Sequence, residues 1–370
     1  MDSRNVAPAL AVSLRLAALR EAVAAARLDP ADLTPAAGDR VLDAFWAEVA
    51  AEGTPLVEEI EGADDDVAVT FLYRAKATVG QPGVLVLVDT LTDRHREDLR
   101  LARLERVPGT DVLARTYRLS RDHRASYGFY TGPPLADDAG RDRTTWRRVR
   151  LTCDADPYNP RQITTPGARP WSVLALPCAT GDRWDHPRPA GMPRGSVRQY
   201  QVPSAHLGED RDVWLYTPSP DSLDALDPHL PLATLVLLDG DVWAESVPVA
   251  DVLDALIADG TLPPLVALLP LSGEGPDRAR TLGLNEAFPR FVSEELLPWA
   301  AGQVPAQLGR AATLDRDPAR VVVAGQSLGG LAALHVAFRE PNRVGNVLTQ
   351  SGAFWWPEGD DGQPLAPGLE

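Results

Sequence analysis

One segment constrains this chain more than any other: Arg320–Phe338, RVVVAGQSLGGLAALHVAF. A β-branched run, Val321–Val323, leads straight into Gly325-Gln326-Ser327-Leu328-Gly329, and a helix-forming stretch begins directly after it. A buried strand that turns this sharply into a helix strains the backbone at the corner and lifts the corner residue above the sheet. Ser327 is therefore predicted to be an exposed nucleophile. Small residues two before and two after it keep strand and helix from colliding. The helix N-terminus adds positive potential where an oxyanion develops, and the Leu328 amide can donate to it.

Such a corner needs a sheet around it. Val213–Tyr216, Leu235–Leu238, Leu265–Leu269, Arg320–Ala324 and Asn346–Gln350 read as strands, and Asp251–Ala258, Ala287–Ala300 and Leu328–Phe338 as helices. Apolar strands alternating with helices predict a parallel sheet covered on both faces, an α/β fold. A second oxyanion donor is expected from the loop after an earlier strand. Leu237–Trp243 fits: Gly240 permits the turn, and the amides of Gly240 and Asp241 can face the serine. An ordinary Asp-Gly turn is the other reading of that segment.

Upstream the character differs. Residues 9–28 form an Ala/Leu/Arg-rich helix ended by Asp29-Pro30, and a second helical pattern runs over Asp39–Ala51. Four short β-like runs follow, Asp66–Tyr73, Gly83–Asp89, Asp111–Ser120 and Ala125–Tyr130, separated by Gly, Pro and Asp. They predict a small β-sandwich whose pairing is left open. Residues 131–195, rich in Pro, Asp, Arg and Gly, read as an irregular connection, with a domain boundary near residue 190. Arg141, Arg143, Arg147 and Arg148 beside Trp146 read as a solvated face or an interdomain contact.

Composition narrows the class. The 370 residues suffice for two domains, and a net charge of −16 argues against nucleic acid or an anionic membrane as partner. A small anionic substrate stays compatible, because a local arginine can dominate a pocket. Two cysteines, Cys153 and Cys178, make no framework, and six scattered histidines show no metal-ligand spacing, so neither metal nor cofactor is expected. Residues 9–28 are interrupted by Arg15, Arg20, Glu21 and Arg27, and no stretch approaches the ~18 apolar residues of a membrane span. A cytoplasmic location is the expectation.

The runs PLATLVLLDGDVWAES, RVVVAGQSLGGLAAL and VLTQSGAFWWP resemble stretches of the enterochelin (enterobactin) esterases. So do VTFLYR, PGTDVLARTYRL and DPYNP, in order, over most of residues 40–360. The resemblance implies a helical extension (1–38), an Ig-like β-sandwich with an irregular linker (39–190), and an esterase-D-type α/β-hydrolase domain (191–370). The implied activity is hydrolysis of the esters of a catecholate trilactone siderophore, releasing iron in the cytoplasm, with no cofactor and the ferric siderophore as small-molecule partner. Ser327 takes the nucleophile position. Leu328, Gly240 and Asp241 take the oxyanion hole, with Asp239 and Trp243 in the same loop motif and Trp243 toward the substrate. Arg278, in PDRARTLG, matches a family arginine suited to a trianionic ferric catecholate, a solvated loop arginine being its other use. Thr281 stands where the family carries a glutamate, which touches the ion pairing of Arg278. Trp355 and Trp356 match a family double tryptophan, usable as a catechol wall or as core packing.

The base is harder to find. In α/β-hydrolases the acid and then the histidine follow the nucleophile. Only His335 follows Ser327, and it lies eight residues along the same helix, roughly 12 Å further on. His186, His206 and His229 precede the serine. The family's Gly-Gly-His-Asp motif is absent, so the chain reads as an esterase incomplete before its catalytic histidine. A general carboxylesterase and a noncatalytic ligand-binding relative are the competing readings.

Overall fold

A computed structural model describes residues 8–28, 36–75, 83–164, 169–179, 191–224, 231–247, 249–273, 275–309 and 312–356. The chain divides into two compact units, Met1–Asp182 and Arg183–Glu370.

In the first unit, strands β1 (Leu56–Glu59), β2 (Asp66–Arg74), β4 (Glu105–Arg106) and β5 (Val112–Ser120) form an antiparallel sheet ordered β1-β2-β5-β4. A second antiparallel sheet, ordered β3-β6-β8-β7, comprises Leu85–Val88 (β3), Arg124–Tyr130 (β6), Trp171–Ala175 (β8) and Gln162–Ile163 (β7). Period-two alternation makes the sandwich. Val67, Val69 and Phe71 of β2 meet Val86, Val88, Tyr127 and Phe129 of the other sheet in one buried cluster. The opposite face of β2 turns Leu72 toward two helices, α1 (Leu14–Leu28) and α2 (Ala36–Glu52), which bury Leu19, Val23, Phe45 and Trp46 against it. Helix α1 thus packs within the first unit.

The expected irregular connection over residues 131–195 is corrected by this arrangement. It contains α3 (Arg143–Leu151), β7 and β8, and β8 hydrogen-bonds β6. The Pro and Asp that read as linker punctuation cap and join these elements: the Asp142 carboxylate accepts from the Thr145 amide at 2.8 Å. On α3, Trp146 and Val149 pack against Leu85, Leu87 and Tyr130, while Arg143, Arg147 and Arg148 face solvent. The DPYNP segment is tied to β6 and β8 by hydrogen bonds. The fully buried Asp156 accepts the Tyr127 hydroxyl at 2.9 Å, and Asn159 donates to the Tyr127 oxygen at 3.1 Å. Cys153 is buried and Cys178 exposed, both as free thiols, and burial pushes the Cys153 thiol up to about 12.

The second unit is one six-stranded sheet, ordered β14-β13-β11-β12-β10-β9. Its strands are β9 (Ser196–Val202), β10 (Arg211–Thr217), β11 (Ala233–Leu237), β12 (Leu265–Pro270), β13 (Val321–Gln326) and β14 (Asn346–Gln350). The last four run parallel, as expected. The β9–β10 hairpin is antiparallel, so the sheet is mixed. The sequence reading had β10, as Val213–Tyr216, but β9 escaped it because that strand is largely exposed and polar. A short helix, α4 (Pro220–Asp224), follows it. Every residue of β12 is buried, with α5 (Val249–Ala258) on one face and α8 (Leu297–Leu308) and α9 (Leu328–Arg339) on the other. The predicted helix over 287–300 extends to Leu308, with a π-helical turn at Phe291–Leu296 between α7 (Ala287–Arg290) and α8. No helix among the described residues is long and apolar enough to cross a membrane.

Candidate active site

The parallel strands end together, and the corner lies at the carboxyl end of β13. Ser327 has φ 57° and ψ −122°, a conformation that L-residues rarely adopt, and its side chain is exposed at the head of α9. The turn is anchored from three sides. The Ser327 amide donates to the Gln350 carbonyl at 3.0 Å, and its own carbonyl accepts from the amides of Ala353 at 3.0 Å and Leu331 at 3.2 Å. The flanking glycines are steric requirements. A Cβ on Gly325 would lie 2.3 Å from the Gly329 carbonyl oxygen, and one on Gly330 would lie 2.6 Å from Thr349 Oγ1.

The amide of Leu328 opens the 12-residue helix α9 and has no hydrogen-bond acceptor among the described residues. The same holds for the amide of Gly240. The conformational role expected of Gly240 is corrected here: Asp239, at φ 64°, makes the left-handed turn. Gly240 is required instead by close approach, since a Cβ there would sit 2.1 Å from the Leu269 carbonyl oxygen. Asp241 precedes a π-helical turn, Val242–Ser246, whose Val242 and Trp243 amides donate to the Asp239 carbonyl at 3.1 and 3.3 Å. Trp243 leans half-buried on the α5 side of the sheet.

Arg278, on α6 (Gly275–Leu282), is already engaged. Its Nε and Nη2 donate to the two carboxylate oxygens of Asp239 at 2.7 and 2.9 Å, and Nη2 also reaches the Gln326 carbonyl at 3.3 Å. The solvated-loop alternative is therefore excluded, and the guanidinium meets a carboxylate of the chain itself. Thr281, one turn further along α6, is buried. The double tryptophan divides. Trp356 packs on the main cluster and against Gly283, whose Cβ would fall 2.8 Å from Trp356 Cζ2, whereas Trp355 is 56% exposed.

Among the described residues no histidine hydrogen-bonds Ser327 and no group of His, Cys, Asp and Glu could hold a metal ion. His335 lies beside Glu286 at 3.6 Å and accepts from Arg339 at 3.4 Å; burial lowers its pKa. His206 bonds Glu294 at 2.8 Å, and His186 and His229 lie outside the described residues. Two contributors were missed in the sequence, Ser272 and Gln326. Ser272 Oγ accepts the Asp239 amide at 2.9 Å, and its signal was the Leu-Ser-Gly that ends the apolar run of β12.

Residues 68–185 match the family model described as "Enterochelin esterase, N-terminal", and residues 204–365 match "Putative esterase". The iron(III) enterobactin esterase of Dickeya dadantii is 34% identical over 362 residues, 91% of this chain and 78% of that protein. The chain belongs to the enterochelin esterase family. Another member, the iron(III) enterobactin esterase of Escherichia coli K12, is 35% identical over 283 residues, 74% of this chain and 66% of its own length. Among solved structures of the family, the ferric enterobactin esterase of Salmonella typhimurium has a TM-score of 0.70 at 32% identity, covering 85% of this chain and 78% of that one. An enterobactin esterase of Shigella flexneri, determined in the presence of enterobactin, also gives 0.70, at 31% identity, covering 87% and 79%. The mixed sheet with its Ser327 corner is accordingly of the α/β-hydrolase type, and the relatives that the chain matches are ester hydrolases.

Proposed function

We propose that this protein hydrolyses the ester bonds of a catecholate trilactone siderophore in its iron-loaded form, releasing iron in the cytoplasm. Ser327 is the nucleophile. Its Oγ attacks the lactone carbonyl carbon, the carbonyl π electrons move onto oxygen, and the amides of Leu328 and Gly240 stabilise that charge at the positive end of α9. Collapse breaks the acyl carbon–oxygen bond and expels the neighbouring serine alkoxide, which takes up the proton given up by the Ser327 hydroxyl; water then cleaves the acyl-enzyme and returns a proton to Ser327 Oγ. Asp241 completes the oxyanion loop, the exposed ring of Trp355 supplies an aromatic surface for catechol beside Trp356, and Trp243 serves the substrate from the oxyanion loop. The organisation proposed is an N-terminal helical segment (1–38), an Ig-like sandwich (39–190) and the hydrolase domain (191–370).

The observation that carries the reading is the strained Ser327 corner with two amides lacking an acceptor among the described residues, Leu328 and Gly240, in an enterochelin esterase family chain. No described histidine is bonded to Ser327.

The test incubates the full-length protein with the iron-loaded trilactone and follows release of dihydroxybenzoyl-serine by chromatography. Monomer release that vanishes in Ser327→Ala supports the proposal. Cleavage of p-nitrophenyl esters with the trilactone untouched would make the protein a general carboxylesterase. Tight binding of the trilactone with no cleavage of any ester would make it a binding protein.

A further inference from the structure

Arg278 touches both halves of the oxyanion site. Two of its nitrogens hold Asp239, the residue before Gly240, and Nη2 also donates to the carbonyl of Gln326, the residue before Ser327. The Asp239 carboxylate in turn lies against the start of α9, where a Cβ on Gly329 would meet its Oδ2 at 3.0 Å. We propose that Arg278 is a positioning residue for the esterase reaction: by fixing Asp239 it holds the Gly240 amide in register with the Leu328 amide. The inference rests on the reading of Ser327 as nucleophile given above.

Two physical arguments support it. Asp239 sits at φ 64°, a conformation disfavoured for a residue with a Cβ, so its neighbours must hold it there. Ser272 holds its amide and the π-helical turn holds its carbonyl, which leaves the carboxylate, and a two-nitrogen guanidinium fork fixes the direction of a carboxylate as a single donor cannot. The second argument is charge. The pair is largely screened from water, the side chains being 28% and 13% exposed for Arg278 and Asp239. An uncompensated carboxylate at that place would oppose the negative charge that develops on the substrate carbonyl oxygen. Arg278 cancels it. Thr281 offers no competing carboxylate one helical turn on, so the guanidinium is directed to Asp239.

The experiment uses the full-length protein with two substrates, a neutral p-nitrophenyl ester and the anionic ferric trilactone, and the variants Arg278→Gln, Asp239→Asn, their double and Arg278→Lys. A positioning role lowers kcat by about 10²-fold on both esters with little change in KM. The double variant falls no further than either single one, since the two side chains act as a unit. Arg278→Lys, which keeps the charge but lacks the fork, recovers part of kcat. A rise in KM confined to the anionic substrate, or an unchanged kcat on both, would overturn the proposal. The neutral ester keeps this result separate from the siderophore reading, which can fail without it. A crystal structure of Arg278→Gln gives a readout independent of turnover: displacement of Asp239-Gly240 supports the proposal, and an unmoved segment overturns it.

Discussion

Gly325 and Gly329 face each other across the Ser327 turn so closely that a Cβ on the first would fall 2.3 Å from the carbonyl oxygen of the second. The clash would be with backbone, so no rotamer relieves it. Gly325→Ala should therefore cost about 1–3 kcal/mol as strand and helix are pushed apart, and Ser327 should lose its reactivity with a fluorophosphonate probe. Thermal melting and probe labelling read the two effects. A variant that melts and labels like the parent would show that the turn has more room than its geometry indicates.

Ser327 itself carries strain. A non-glycine residue at φ 57° and ψ −122° costs of the order of 1–3 kcal/mol, which glycine would release at a smaller cost in chain entropy. Ser327→Gly should abolish ester hydrolysis and raise stability by about 1 kcal/mol. Ser327→Ala should abolish hydrolysis too, with the strain and the affinity for the trilactone retained, since the nucleophile acts in the covalent step. Urea denaturation and a binding titration distinguish the pair; a glycine variant less stable than the alanine variant would contradict the strain argument.

Burial lowers the pKa of both His335 and His123, each against an opposing carboxylate, Glu286 and Asp122 respectively. Arg339 beside His335 acts in the same direction as burial. With folded values below the unfolded one of about 6.5, the unfolded chain binds more protons in that window. Stability should be complete above it and fall as the pH drops through about 6.5 toward the folded values. His335→Gln should lose less stability than the parent between about pH 7 and pH 5. Parallel urea midpoints at the two pH values would show that His335 takes no part.

The neighbouring tryptophans should separate binding from stability. Trp356 is packed over Gly283 and the main cluster, so Trp356→Ala should cost about 3 kcal/mol, within the range for large aromatic truncations. Trp355 is 56% exposed, and its truncation should leave the melting temperature nearly unchanged while weakening the catecholate ligand. Equal melting shifts in the two variants would refute this division.

The corner and its strands were legible because both signals are local. Apolar runs bounded by turns gave β11 to β14 within a residue or two, and small residues around Ser327 gave the elbow. What escaped depends on pairing at long range. Ser196–Val202 has no apolar face to announce it and becomes a strand only because β10 offers its edge. Trp171–Ala175 is too short to stand out and is defined by its ladder to β6. At the site, Asp239 and Arg278 were both singled out, yet their contact spans 39 residues of sequence and belongs to no helical or strand period. The left-handed turn was assigned to glycine on propensity, where the structure uses the glycine for a close approach to Leu269 and strains the aspartate instead.

Strand β8 has one further consequence, for synthesis. Strand β6 leaves the ribosome with Tyr127 and Phe129 already in place, but its second neighbour, ending at Ala175, follows some way behind. At about 5–20 residues per second, the wait is roughly 2–9 s. During that interval the half-made sheet shows the unpaired edge of β6, a row of backbone donors and acceptors open to any other strand. The nascent N-terminal unit is therefore most open to mispairing after its apparent core has been translated, and a slow codon run before residue 175 would lengthen the hazard.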